Sequence, residues 1–340
     1  MIDKTKRIRE FDILRGFSAV LMILGHSFII HPINISKVAW CNELQHFIYN
    51  FHMEMFFVVA GAVYFCENYC RFITRKAKKL MIPYAFFGIL SVVVHAFAGD
   101  MVNKSVPVDE GLFNFLFKGG GYWFIFSLFI MFLIYPVIEK VCQKPWQKAV
   151  FAVALLILRE VINLPTVFLL DTIAYYLPYF IFGHVMFGKA YNKFLLNKHF
   201  LNATVAVLSV AVYIVIDVVG RSHNIDRKFF DYIRALAIIT FFLIASRYLV
   251  MLADKYKPFV TIERFLQNCS RFSLQLYLFN GYILGVFRFI ICRVFGIEIP
   301  AVIVLCILVP NLIITLVACK WIIPHIPIIR TCCGLKKGDC

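Results

Sequence analysis

Charged side chains are scarce in this sequence. Of its 340 residues only 16% are Asp, Glu, Lys or Arg, while 61% are hydrophobic and the mean hydropathy is +0.81. A soluble domain of this size is usually under half apolar and would lack the polar surface to cover so greasy a core. The same figures exclude intrinsic disorder, collagen, coiled coil and a disulfide scaffold. Internal repeats, low-complexity tracts and linkers are absent. No cleavable leader is visible, because the first apolar run carries Asp12 and Arg15 and reads as a retained span. The 9 histidines show no metal-ligand spacing, so no metal and no bound cofactor are expected. The 11 cysteines follow neither metal nor disulfide spacing. Cys292, Cys306 and Cys319 lie inside apolar runs and act as small hydrophobes. Cys332, Cys333 and Cys340 cluster in a tail, where a lipid-anchored or reactive thiol is the alternative to an inert one.

What is present is a series of ten apolar segments, at about 11–31, 44–66, 80–98, 121–139, 147–163, 172–188, 200–219, 229–251, 271–292 and 299–323. A helix needs roughly 20 residues to cross the hydrocarbon of a bilayer. The expectation is an all-α, polytopic integral membrane helical bundle of about ten transmembrane helices, a single domain over 1–340 with no room for a second, soluble one. Acidic residues number 19 against 35 Lys and Arg, a net charge of +16. With a cytoplasmic N-terminus, 24 of the basic residues fall in inside segments and 10 in outside ones, and the excess recurs loop after loop. This is the positive-inside pattern, with both termini cytoplasmic, and it removes the need for a nucleic-acid partner.

Ionisable residues inside such segments are costly and mark function by default. The first span runs Phe11-Asp12-Ile13-Leu14-Arg15-Gly16 to Gly25-His26. Arg15 and His26 are eleven positions apart, about 20° from three whole helical turns, so they share one face about 16 Å apart along the axis. Asp12, Ser18 and Met22 fall near the same stripe, and Asp12 can pair with Arg15 at i, i+3. One reading is an anion site at Arg15 and acid–base chemistry at His26. The other is an arginine snorkelling to lipid phosphates and a histidine bonded to a neighbouring helix.

The stretch from Arg7 through Arg15-Gly16 to His26-Ser27 resembles the opening of the acyltransferase-3 family, membrane enzymes that O-acylate carbohydrates and carry an arginine and a histidine separated by ten residues. Phe51-His52-Met53-Glu54 to Ala60-Gly61 resembles the second-span motif of its fucose-4-O-acetylase-like branch. Lys79-Leu80-Met81-Ile82-Pro83-Tyr84, Tyr122-Trp123-Phe124 with Tyr135-Pro136, and Ser273-Leu274-Gln275-Leu276-Tyr277-Leu278 resemble later segments of that branch. The chain departs from the pattern at Glu54, where proline is usual, at Ala60-Gly61 in place of Ser-Gly, and at Asn280, where histidine is common. Asparagine can hydrogen-bond a substrate but cannot relay a proton at neutral pH.

The resemblance implies a membrane O-acyltransferase with catalytic His26 and Arg15. The donor would be acetyl-CoA or a related acyl-CoA from the cytoplasm. The acceptor would be a sugar hydroxyl of a lipid-linked or surface glycan, and the location a bacterial inner membrane. On a straight second span, His52 and Glu54 lie roughly 12–15 Å below the outer surface and His26 about 7 Å, so the three are expected in the outer half of the bundle. Two positions apart, His52 and Glu54 do not share a face. Glu54 either orients a histidine, as in a triad, or bonds a neighbouring helix. Trp123 either stacks on a sugar or belongs to the interfacial aromatic belt. Gly119-Gly120-Gly121 before it reads as a flexible turn. The run Arg71, Arg75, Lys76, Lys78 and Lys79 sets topology, touches anionic lipid or attracts the coenzyme's phosphates. The rival from another class is a secondary transporter of a small metabolite, against which stand the missing inverted repeat and paired broken helices. A non-catalytic family member is a third possibility.

Overall fold

The computed structural model describes residues 8–97, 107–187, 199–222 and 228–336. Arg7, at the start of the first-span motif, and Cys340 lie outside them. All regular structure among the described residues is helical. In chain order the helices are α1 (Arg9–Ser27), α2 (Ala39–Tyr49), α3 (His52–Ala62), α4 (Tyr69–Phe97), α5 (Val108–Lys118), α6 (Trp123–Val141) and α7 (Pro145–Val161). There follow α8 (Leu170–Phe187), α9 (His199–Ser222), α10 (Lys228–Ala253), α11 (Lys257–Arg271), α12 (Ser273–Phe289), α13 (Pro300–Val317) and the short α14 (Pro327–Cys332). Wider π turns at Ile290–Val294 and Ala318–Ile322 extend α12 and α13.

Six stretches among the described residues are long and apolar enough to cross a membrane: Tyr69–Phe97, Val108–Val141, Leu201–Ser222, Phe230–Ala253, Ser273–Val294 and Pro300–His325. With no water in the hydrocarbon, helices satisfy every backbone donor and acceptor internally, which is why this composition yields helix throughout. The other apolar segments of the sequence form helices that are shorter, more polar or broken. The segment 44–66 is two helices, not one. The chain breaks at Asn50 and Phe51, where Phe51 takes φ −156° and ψ −12°. The Phe51 ring is fully buried and stacks on Phe242 at 5.3 Å. Its packing overrides the helical preference of the run, and α3 therefore starts at His52.

The chain divides into two compact units. The first comprises residues 1–25, 43–64 and 179–273, hence most of α1 and α2, all of α3, the second half of α8, and α9 to α11. Its helices approach closely where one presents glycine. A Cβ on Gly61 of α3 would run into the Phe180 carbonyl of α8, and one on Gly183 of α8 into the Val58 carbonyl of α3. A Cβ on Gly16 of α1 would strike the Leu266 carbonyl of α11. Small residues at such crossings are how membrane helices gain van der Waals contact when hydrophobicity cannot drive them together.

The second unit comprises residues 26–42, 65–178 and 274–340. Here α4 packs on α5 and α6. Tyr84 stacks between Phe115 at 4.9 Å and Phe126 at 5.2 Å, and its hydroxyl donates to the Phe115 carbonyl. Gly88 leaves the space that the Phe115 ring fills. Lys76 lies 4.0 Å over the Phe132 ring of α6.

Adding a methyl at the α3–α8 crossing should cost about 1–3 kcal/mol or more, because the obstacle is backbone. Gly61→Ala and Gly183→Ala should each lower the melting temperature of the solubilised protein. Gly220→Ala, where a Cβ would meet open space, should leave it unchanged or raise it. Thermal unfolding followed by tryptophan fluorescence checks the contrast.

Candidate functional site

Arg15 and His26 sit on one unbroken helix, α1, so the shared face expected from their spacing holds in the structure. Arg15 is half-buried and His26 is exposed. Ser18 and Met22, between them on the stripe, are fully buried.

The N-terminal half of α1 is fixed within the first unit by ion pairs. Arg9 donates from Nε and Nη2 to both oxygens of Glu263 on α11, at 2.6 and 2.7 Å, and from Nη1 to Asp254 at 2.7 Å. Glu263 is 4% exposed and also accepts from Gln267 at 2.8 Å. The bidentate bond from Glu263, then the one from Asp254, raises the Arg9 pKa above its ordinary value and keeps it charged. Arg247 of α10 pairs with Glu10 at 3.2 Å. Ser270 of α11 reaches the buried Asp12 carboxylate at 3.5 Å. Two acidic residues in the first turn of α1 also suit the positive end of the helix dipole.

His52 and Glu54 lie in the first turn of α3, both buried, at 2% and 3% exposure. The backbone break places them at a helix N-terminus. His52 Nδ1 donates to the Ile48 carbonyl at 2.9 Å, so in the neutral ring Nε2 keeps the lone pair. Tyr49 packs edge-on against the His52 ring at 5.2 Å. A Cβ on Gly25, the residue before His26, would lie 3.6 Å from the same tyrosine ring. Within the first unit, then, Tyr49 packs against His52 and lies close to the backbone of α1 at Gly25.

Trp123 and Asn280 belong to the second unit. Trp123 opens α6 and stacks on Tyr176 at 5.4 Å and 28°. The glycine run before it is a tight turn, with positive φ at Gly119 and Gly120, tied down by α12: Tyr277 donates to the Gly121 carbonyl at 3.1 Å and Tyr122 to the Leu278 carbonyl at 3.3 Å. Asn280, on the same helix, is buried and its Oδ1 accepts from Asn311 Nδ2 of α13 at 2.8 Å. Asn311 Oδ1 and Thr315 Oγ1, one turn apart, are buried acceptors without a partner among the described residues.

Sequence reasoning missed several groups. Asp217 of α9 gathers His46 at 2.9 Å, Arg221 at 2.8 Å and Arg234 at 3.1 Å, and Arg221 also holds Glu43 at 2.6 Å. The residues come from three separate segments, so no local spacing announces them. Arg288 is 4% exposed on α12, although its place near the end of an apolar run reads as a loop flank. In the tail, Cys333 is buried and its thiol is pushed up to about 12 by burial, the environment of an inert cysteine. Among the described residues no group of three His, Cys, Asp or Glu side chains could hold a metal.

A bundle of apolar helices with charge buried along one of them defines an integral membrane protein. The acyltransferase domain of the acyltransferase-3 family matches residues 8–320, and the chain belongs to that family. It is also similar to the nodulation protein NolL of Sinorhizobium fredii (strain NBRC 101917 / NGR234), with 26% identity over 129 residues. That match covers 36% of this chain and 34% of NolL, about a third of each. No solved structure matches the chain significantly.

The Asn280–Asn311 pair allows a thermodynamic check. Asn280→Leu removes the 2.8 Å acceptor of the buried Asn311 amide, leaving only the long 3.5 Å contact to the Asn280 backbone carbonyl, and should cost about 1–3 kcal/mol. Replacing both by leucine removes the unsatisfied group, so the double variant should recover most of that loss. Melting curves of the two single variants and the double variant measure the coupling. Additive losses would show that the two amides do not act together.

Proposed function

We propose that this chain is an O-acyltransferase, most simply an O-acetyltransferase. It would move an acyl group from cytoplasmic acyl-CoA to a sugar hydroxyl of a lipid-linked or surface glycan. The observation that carries the reading is the Arg15–His26 stripe on one face of unbroken α1, in a member of an acyltransferase family. Acetyl-CoA enters as a substrate and not as a resident cofactor. The proposed setting is a bacterial inner membrane, with about ten spans and both termini cytoplasmic.

Arg15 presents a guanidinium to a phosphate of the donor, or to its carbonyl end in a first step before the acyl group is handed on toward His26. His26 takes the proton of the acceptor hydroxyl as its oxygen attacks the acyl carbonyl. The carbon–sulfur bond breaks, the sulfur takes the proton back from the imidazolium, and an ester and a free thiol leave. The separation of about 16 Å along α1 suits either a long donor lying along the helix or an acyl group handed on in two steps. Asp12 and its partner Ser270 steady the Arg15 turn. His52 and Glu54 support proton transfer, and Trp123 and Asn280 offer a stacking face and an amide to the acceptor.

Substitution separates these roles. His26→Ala should reduce transfer by about 10²–10⁴-fold while the protein still inserts and elutes as a single species. Arg15→Ala should abolish transfer, and Arg15→Lys should fail as well, since an ammonium cannot reproduce the planar two-donor contact. The readout is the initial rate of ester formation by purified protein with acyl-CoA and a native glycolipid extract. A parental rate in His26→Ala would remove the proposed base.

A further inference from the structure

Helix α11 presents three chemically distinct sides. One is buried and holds Glu263, Leu266, Cys269 and Ser270, the side that bears on α1. Opposite it stand Lys257, Arg264 and Arg271, all exposed. They recur every seven residues, so each lies within about 20° of the last and the three form one basic stripe. On the flank between these sides is Phe265 at 40% exposure, and Ile262 at 47% stands at the near edge of the buried side, about a turn before Leu266; both are large, apolar and uncovered. The only acidic residue of the helix, Glu263, is turned inward and bonded to Arg9. The outward surface therefore carries positive charge with no compensating carboxylate from its own helix. Proline near the first position suits a helix start, and Lys255 and Tyr256 just before it are exposed as well.

The chain connections say where such a helix lies. It begins at Lys257, shortly after the membrane-crossing stretch that ends at Ala253, and stops at Arg271, immediately before the one that starts at Ser273. Both its ends are thus tied to the surface of the bilayer. A helix so tethered, with a basic stripe and an apolar flank, has the pattern of a segment lying in the membrane interface.

We propose that α11 docks on an anionic lipid surface, with Lys257, Arg264 and Arg271 engaging headgroup phosphates while Ile262 and Phe265 enter the acyl region. Charge complementarity selects anionic over zwitterionic lipid, each basic residue near the surface being worth about fivefold in preference. The apolar flank holds the helix at the depth where that contact forms. Because the inner side of the same helix clamps Arg9 and abuts Gly16, the lipid contact lies one helix away from Arg15.

The test reads lipid contact directly and does not depend on the acyl-transfer reading. Bimane is coupled at Phe265→Cys in full-length protein, and the signal of the unsubstituted protein treated alike is subtracted. The protein is reconstituted in phosphatidylcholine vesicles containing a nitroxide-headgroup lipid at fixed mole fraction, either phosphatidylglycerol or phosphatidylcholine. The glycerol lipid should quench several-fold more strongly. The preference should vanish in Lys257→Gln/Arg264→Gln/Arg271→Gln, and in the parent as ionic strength rises to about 1 M, where the screening length falls to about 3 Å. The salt titration stands on its own if the triple variant does not fold. Equal quenching by both lipids in the parent overturns the proposal. So does quenching by neither, or a preference that survives both neutralisation and salt.

Discussion

The backbone of α11 lies against Gly16 of α1 with no room for a side chain between them. Gly16 is the residue after Arg15, so this close helix contact of α1 falls beside the cation that the proposed chemistry needs. In a membrane, packing apolar side chains together gains little, because lipid tails are as apolar as leucine. Position must come from close backbone approach and from polar bonds that have no alternative partner. Both act here: the glycine sets the distance between α1 and α11, and the Arg9–Glu263 fork sets their register. A slip of α11 along α1 would separate two buried or half-buried charges and drive a Cβ into a carbonyl.

The same economy recurs elsewhere in each unit. Gly61 and Gly183 each make room for the other's helix where α3 crosses α8, so the helix carrying His52 and Glu54 is fixed at its far end. In the second unit, tyrosine hydroxyls do comparable work: Tyr84, Tyr122 and Tyr277 each donate to a backbone carbonyl of another segment. The bonds of Tyr122 and Tyr277 hold the glycine turn that presents Trp123. The buried Asn280–Asn311 pair joins α12 to α13 at a point where α13 already carries Pro310. Polar groups inside these helices are few, and the buried ones described above mostly join helices or line the proposed chemistry.

The helical class was legible because lipid leaves the backbone no other solution and because apolar runs of this length have no place in a soluble fold. The Arg15–His26 stripe was legible because one straight helix converts spacing into geometry. Other features were not. The break at Phe51 follows from where a distant ring, Phe242, receives it; Asn50, His52 and Glu54 are scattered singly through the run from Phe47 to Phe57, and no proline or glycine there announces a helix end. Helix α11 falls between two apolar segments and reads as a basic loop because it is too polar to count as a span, although Glu263, Leu266 and Ser270 already fall at helical spacing after Pro258. The gathering of His46, Arg221 and Arg234 on Asp217 depends entirely on which helices become neighbours. Local chemistry can be read along the chain, and meetings between segments require the fold.

The central claim is that α1 supports acyl transfer from a coenzyme thioester to a hydroxyl acceptor. It is tested most directly in membrane vesicles of defined orientation, supplied with radiolabelled acetyl-CoA and with native lipid and glycan extract. Label should appear in a glycan or glycolipid when the coenzyme is on the cytoplasmic face, and fall by about 10²–10⁴-fold when His26 is replaced by alanine. Folded parental protein that moves no label from acetyl-CoA or any other acyl-CoA into any fraction would contradict it.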